Sequence, residues 1–227
     1  MKNPLIIALD VETAAHARAL VDALGDSVSF YKVGLELYAS AGMDFVREMK
    51  ARGHRVFLDL KLYDIGETVK RATVQIARAD VDFLSVHARV QVMESALAGR
   101  RNTNLKILAV TVLTSLDDND LRADGNTRSV AELVELRAAN AIELGADGLV
   151  CSALDVARVR KVAPRATLVI PGVRSPGAGH HDQKRTATPA EALAQGADYL
   201  VVGRQVTGSG DPKAEVKKIL EELSVVV

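Results

Sequence analysis

The sequence predicts an eight-fold α/β barrel, and three observations carry that prediction. Short β-branched runs alternate from end to end with longer stretches of helical spacing. The strand runs are apolar on both faces, as parallel strands buried between layers require. Eight such βα units fit into 227 residues, close to the ~250 residues typical of one closed barrel. A doubly wound open sheet is the alternative, but no Gly-x-Gly-x-x-Gly follows the first strand.

The expected strands are Leu5–Asp10, Val28–Val33, Arg55–Leu60, Phe83–His87, Lys106–Val112, Gly148–Cys151, Thr167–Pro171 and Tyr199–Gly203. The expected helices are Ala14–Leu24, Ala41–Ala51, Glu67–Arg78, Val90–Ala98, Ser129–Leu144, Leu154–Val162, Pro189–Ala194 and Lys213–Glu222. Gly25, Gly53, Gly145 and Gly196 each follow a helical run, where a chain leaving a helix commonly turns left-handed. Leu133, Leu136 and Leu144 read as a core-facing stripe. No linker, low-complexity tract or charge block divides the chain, so one domain over residues 1–227 is expected.

Composition narrows the function. Lys plus Arg and Asp plus Glu both total 29, so there is no broad electrostatic case for nucleic acid or an anionic membrane. No run approaches the ~18 apolar residues of a membrane span. The single cysteine, Cys151, lies in an apolar strand and reads as a core residue. A lone thiol and the lack of a leader-like N-terminus suit a cytoplasmic protein.

Barrel chemistry sits at the C-terminal ends of the strands. There, Asp10 ends the first strand and Lys32 interrupts the apolar second. Asp59 and Lys61, two residues apart, share one face of the third. With that face inward, Leu58 and Leu60 pack outward and four alternating charges converge. An array of catalytic groups and a structural ion cluster both fit that pattern. Asp64 has two readings as well, a site carboxylate or the cap of the third helix with Glu67 three residues on.

A second constellation lies late in the chain. Pro171-Gly172-Val173-Arg174 opens a glycine-rich loop that runs to Gln183, and Val202-Gly203-Arg204 closes the eighth strand. Loops after the seventh and eighth barrel strands commonly hold phosphate, and guanidinium forks match its oxygens. Other polar residues are weaker signals. His87 ends the fourth strand as a pocket or rim residue, while His16 and His54 read as surface or helix-flanking. His180-His181 lacks further ligands at metal spacing, and Asp117-Asp118-Asn119-Asp120 reads as a solvated turn rather than a calcium loop.

Asp59-Leu60-Lys61-Leu62-Tyr63-Asp64-Ile65 resembles the Asp-x-Lys-x-x-Asp signature of the orotidine 5′-phosphate decarboxylase family. Lys32-Val33-Gly34, Thr111 to Ser115, Pro171 to Arg174, Asp182 to Arg185 and Val202-Gly203-Arg204 match in order along the whole chain. Tyr63 and Gly66-Glu67 depart from the pattern of many members.

The resemblance implies decarboxylation of orotidine 5′-phosphate (OMP) to UMP on a TIM barrel, with no cofactor and no metal. It implies Lys61 as proton donor in a catalytic array with Lys32, Asp59 and Asp64. It implies substrate contacts from Asp10, Lys32, Asp59, Ile65, Thr68, Thr114, Ser115, Pro171, Arg174, Gln183, Gly203 and Arg204. It further implies a homodimer in which Asp64 and Thr68 reach the neighbouring site. The rival readings are a metal-dependent sugar-phosphate barrel with a similar motif and a catalytically silent phosphate-binding barrel.

Overall fold

In the computed structural model, residues 3–176 and 187–224 are described. Among them, eight parallel strands close a barrel in sequence order. The strands are β1 (Leu5–Ala8), β2 (Phe30–Gly34), β3 (Arg55–Leu62), β4 (Phe83–His87), β5 (Lys106–Val110), β6 (Gly148–Val150), β7 (Thr167–Pro171) and β8 (Tyr199–Val202). The helices are α1 (Ala14–Leu24), α2 (Leu35–Ala51), α3 (Gly66–Ala77), α4 (Val90–Arg100), α5 (Asp118–Ala123), α6 (Val130–Glu143), α7 (Val156–Val162), α8 (Pro189–Ala194), α9 (Arg204–Thr207) and α10 (Pro212–Ser224). The expected TIM barrel is therefore the fold. None of these helices is long and apolar enough to cross a membrane.

Two apolar layers follow from strand alternation. One set of side chains, including Tyr31, Val33, Leu58 and Leu84, packs outward against the helices. The other set, including Ile6, Phe30, Phe57, Phe83, Val150 and Val201, fills the barrel. Phe30, Phe83 and Tyr199 meet edge to face, with ring centroids 5.1–5.6 Å apart. The Arg55 guanidinium lies 3.9 Å from the Phe30 centroid and donates to the Tyr199 hydroxyl at 3.2 Å. These rings fill the barrel toward the strand starts.

The positions two residues beyond these rings point inward again. Phe30 leads to Lys32, Phe57 to Asp59 and Phe83 to Ser85. A polar layer thus sits directly on an aromatic one, and all three polar side chains are buried.

Several expectations need correction. Helix α2 begins at Leu35 rather than Ala41, because it is two helical pieces joined at Gly42 (φ 61°, ψ −161°) and the sequence reading found only the second. Asp117 to Asp120 is not a turn. Asp117 caps α5, accepting from the Asn119 and Asp120 amides, and Asp120 reciprocates as a capping box. The four-residue α9 was not anticipated, being too short for any periodicity. In α6, Val130, Leu133, Val134, Ala138 and Ala141 form the buried stripe. Leu136 falls outside that stripe and is 39% exposed. By contrast, Gly25, Gly53, Gly145 and Gly196 all adopt positive φ, and Cys151 is buried in the core.

Candidate active site at the mouth of the barrel

The four strand-end charges form one continuous ion chain. Lys32 Nζ donates to Asp10 Oδ1 at 2.7 Å and lies 3.7 Å from Asp59 Oδ2. Lys61 Nζ donates to that same Asp59 oxygen at 2.8 Å. The order along the chain is Asp10, Lys32, Asp59, Lys61, with signs alternating, so each buried charge has an opposite neighbour. Asp59 and Lys32 are almost fully buried, whereas Asp10 and Lys61 face the opening.

Burial, the largest influence on Asp59, pushes its carboxyl up. Attraction from Lys32 and Lys61, with hydrogen bonds from Lys61 and Ser85, outweighs burial and holds the group below the usual carboxylate range. Asp59 is therefore an anion at neutral pH.

The third strand bends to bring Lys61 into line. Lys61 has φ 49°, and pairing with β4 shifts register between Leu58 and Leu62. Positive φ is uncommon for a residue with a side chain, so the surroundings must hold it. Ser85 does this. Its Oγ accepts from the Lys61 amide at 2.9 Å and donates to Asp59 Oδ1 at 2.7 Å. Sequence reasoning missed Ser85, although a lone hydroxyl inside the apolar run Phe83 to Val86 was a readable signal.

A glycine makes room for the other end of the chain. A Cβ on Gly34 would stand 2.6 Å from Asp10 Oδ1 and 2.8 Å from Lys32 Nζ. Only a residue without a side chain lets β2 end this close to the pair.

The opposite side of the mouth is cationic. Asp10, Glu36, Pro171, Gly172, Arg174, Gly203 and Arg204 line a cleft of about 450 Å³, within the range that holds small ligands. Arg174 is buried, donates from Nη1 to the adjacent Val173 carbonyl at 2.7 Å, and among the described residues its Nε has no partner. Burial, and then the nearby Arg204, lower its pKa. Two guanidinium groups drawn together in a half-buried cleft favour an anion between them. Glu36, at the start of α2, lines this cleft as well, and the sequence reading did not single it out. A larger groove, about 640 Å³, runs along α10 and Ser27 on the outside, away from the strand-end charges.

The remaining predicted residues separate into groups. Thr114 and Ser115 lie in the loop after β5, at the same barrel end, with Thr114 half-buried and Ser115 exposed. Asp64, Ile65 and Thr68 are not drawn into the ion chain. Asp64 is exposed and, among the described residues, accepts only from the adjacent Ile65 amide at 2.6 Å, while Ile65 is 70% exposed. The capping alternative for Asp64 fails, since Ile65 holds the N-cap position of α3 and provides no side-chain cap. Lys61, Asp64 and Thr68 instead border a shallow depression of about 260 Å³.

His87 is half-buried beside Tyr63, with ring centroids 5.5 Å apart. Burial first, then Arg137, Lys61 and Arg89, lower its pKa. His16 is exposed, and His54 follows α2 with its ring against Tyr31. Gln183 and the pair His180-His181 lie outside the described residues.

The comparisons with known proteins agree with this geometry. The family model described as orotidine 5′-phosphate decarboxylase / HUMPS family matches residues 3–219. A Nitrobacter winogradskyi protein named orotidine 5′-phosphate decarboxylase is 49% identical over 224 residues, 98% of this chain and 93% of its own. A Rhodopseudomonas palustris protein of the same name is 49% identical over 223 residues, 98% of this chain and 95% of its own. Among solved structures, orotidine 5′-phosphate decarboxylase from Lactobacillus acidophilus superposes with a TM-score of 0.85 at 36% identity, covering 98% of this chain and 99% of that one. With the family model spanning nearly the whole chain, and with its charged motif assembled at the mouth of the barrel, this chain belongs to the orotidine 5′-phosphate decarboxylase / HUMPS family.

Proposed function

We propose that the protein decarboxylates OMP to UMP and CO₂ in pyrimidine biosynthesis, as a carbon–carbon lyase that uses neither metal nor cofactor. The observation that carries this reading is the alternating chain Asp10–Lys32–Asp59–Lys61 beside a cleft lined by Arg174 and Arg204. The cleft suits the phosphate, the ion chain suits the reacting end, and a nucleotide spans the two.

In this reading Arg174, Gly203 and Arg204 bind the phosphate with Gln183, while Asp10 and Lys32 hold the ribose. Thr114 and Ser115 hold the pyrimidine, and Pro171 shapes the wall between. The C6 carboxylate then lies beside the Asp59 anion and is crowded by it. The C6–carboxylate bond breaks, its electron pair stays on C6 and CO₂ departs. The Lys61 ammonium stabilises the developing charge and gives its proton to C6. Rate enhancements span roughly 8–23 kcal/mol of barrier, and a carbanion without an electron sink needs the upper part of that range. Binding energy from the remote phosphate holds the ring in the reactive position.

The whole chain, residues 1–227, works as one domain and as a homodimer in the cytoplasm. Asp64 and Thr68 of each copy complete the site of the other, with Asp64 joining the catalytic array and Ile65 contacting substrate beside them. Support comes from their outward placement and from the exposed apolar side chains of Tyr63, Ile65, Val90 and Leu136.

The test is loss of OMP absorbance with purified protein, with and without EDTA. Conversion to UMP that EDTA does not change is the expected result. Folded protein that binds UMP without converting OMP would overturn the reaction, and loss of turnover in EDTA would overturn its metal independence.

A further inference from the structure

The two arginines of the anion cleft share a feature that the ion chain does not explain. Each is followed by a residue tied to the C-terminal helix α10. Ser175, next to Arg174, is buried, and its Oγ donates to Glu222 Oε2 at 2.8 Å. Gln205, next to Arg204, donates from Nε2 to Glu215 Oε1 at 2.8 Å. The two tethers are joined, because Gln205 Oε1 accepts from the Ser175 amide at 3.1 Å. Glu215 and Glu222 are seven residues apart, about two helical turns, and so lie on one face of α10.

We propose that Glu215 and Glu222 are positioning residues for anion binding, acting through Gln205 and Ser175 to hold Arg174 and Arg204 at a fixed separation. The physical need is clear. Arg174 and Arg204 line one cleft and carry like charge, so they repel; burial is the main reason the Arg174 pKa is lowered, and Arg204 adds to it. They sit on two separate segments, one after β7 and one after β8. Left to themselves, like charges on two separate segments move apart. A hydrogen-bonded clamp from one rigid helix opposes that motion and keeps both guanidinium groups aimed at a single ligand. The clamp touches neither ligand nor reacting atoms. Its effect is on affinity for the phosphate group, and the chemical step at Lys61 is left alone.

This inference rests on the proposed reaction only for its kinetic readout. The variants are Glu222→Ala, Gln205→Ala and the conservative Glu222→Gln, which keeps an acceptor for Ser175. UMP and inorganic phosphate affinities are measured by calorimetry, OMP kinetics by absorbance, and Tm by thermal unfolding. Loss of one clamp bond is expected to raise the UMP Kd and the OMP KM by roughly three- to tenfold while kcat stays within about twofold. Glu222→Gln is expected to stay within about twofold of wild type.

Alanine variants that bind UMP and phosphate like wild type, whatever their Tm, would overturn the clamp. If Glu222→Ala does not fold, Gln205→Ala and Ser175→Ala carry the same test. If no form converts OMP, yet the alanine variants lose UMP affinity, the proposed reaction fails and the clamp stands. Wild-type protein that binds neither UMP nor phosphate overturns both.

Discussion

The Ser85 hydroxyl donates to Asp59 Oδ1 at 2.7 Å while its oxygen takes the amide of the kinked Lys61 at 2.9 Å. One side chain on β4 therefore sets both the carboxylate and the backbone of the central Asp–Lys pair. Replacing Ser85 by Ala leaves a buried carboxylate oxygen and an amide without partners. Such losses cost about 1–3 kcal/mol each. Ser85→Ala is expected to lower the urea midpoint and to reduce kcat more than it raises KM. An unchanged kcat with reduced stability would limit Ser85 to a structural role.

Lys61 is the proton donor of the proposed reaction, and its ammonium stands at the open end of the ion chain. Lys61→Ala is expected to abolish OMP turnover while UMP affinity, followed by calorimetry, stays within about tenfold of wild type. Near-normal turnover would remove Lys61 from its role. The paired lysine is a different case, since Lys32→Ala leaves Asp10 and the buried Asp59 without their shared partner. That variant is expected to be destabilised by about 3–5 kcal/mol as well as inactive.

Gly34 leaves no room for a methyl group beside Asp10 and Lys32. The atoms in the way are the ends of two adjustable side chains, so Gly34→Ala should fold. The ion pair must shift to accept it. The expected result is a Tm within a few degrees of wild type with at least tenfold lower kcat/KM. Full activity would show that the pair's position is not critical.

Arg174 is buried, with an Nε that has no partner among the described residues and with a neighbouring cation. Its guanidinium is thus a burden to the free protein that an anion relieves. Arg174→Met should leave the unliganded Tm unchanged or higher and raise the UMP Kd at least tenfold. A lower Tm without an affinity change would place Arg174 in the scaffold.

Acid should act through Asp59. Its carboxyl lies below the ordinary value in the folded protein. Its share of stability is therefore full above the unfolded value, about pH 4, and is lost as pH falls through the folded value. His87, also depressed, works at a higher pH. The unfolded chain takes up its proton near about pH 6.5 before the folded protein does, so stability falls as pH drops below that point. Urea midpoints of wild type against His87→Asn between about pH 7 and 5 should diverge in slope, with the wild type losing more. Parallel slopes would show that His87 does not titrate this way.

Much of this was written in the residues themselves. Period-two alternation sends Asp59 and Lys61 to the face of Phe57, and Lys32 within an apolar strand gains meaning only together with Asp10, Asp59 and Lys61. The βα rhythm, the terminal glycines and the arginines after β7 and β8 are local features, and local features survive in a linear text. The places where the sequence misled were also local in appearance. Asp64 and Glu67 have capping spacing, yet Ile65 is the N-cap, and Leu136 lies one turn from a buried Leu133 but past the edge of the buried stripe of α6.

What only the tertiary structure decided depends on distances between residues far apart in the chain. Asp10 and Lys32 meet across 22 positions, Asp59 and Ser85 across 26, and Ser175 and Glu222 across 47. Barrel closure brings β8 beside β1 and so sets Arg204, at the start of α9, in one cleft with Asp10, a neighbourhood no window of sequence contains. The left-handed turn at Lys61 is stable only because Ser85 from another strand holds it. Residue types and periodicity determined which side chains could do the chemistry. Closure of the sheet determined which of them meet, because long-range packing alone sets the separations on which charge and hydrogen-bond energies depend.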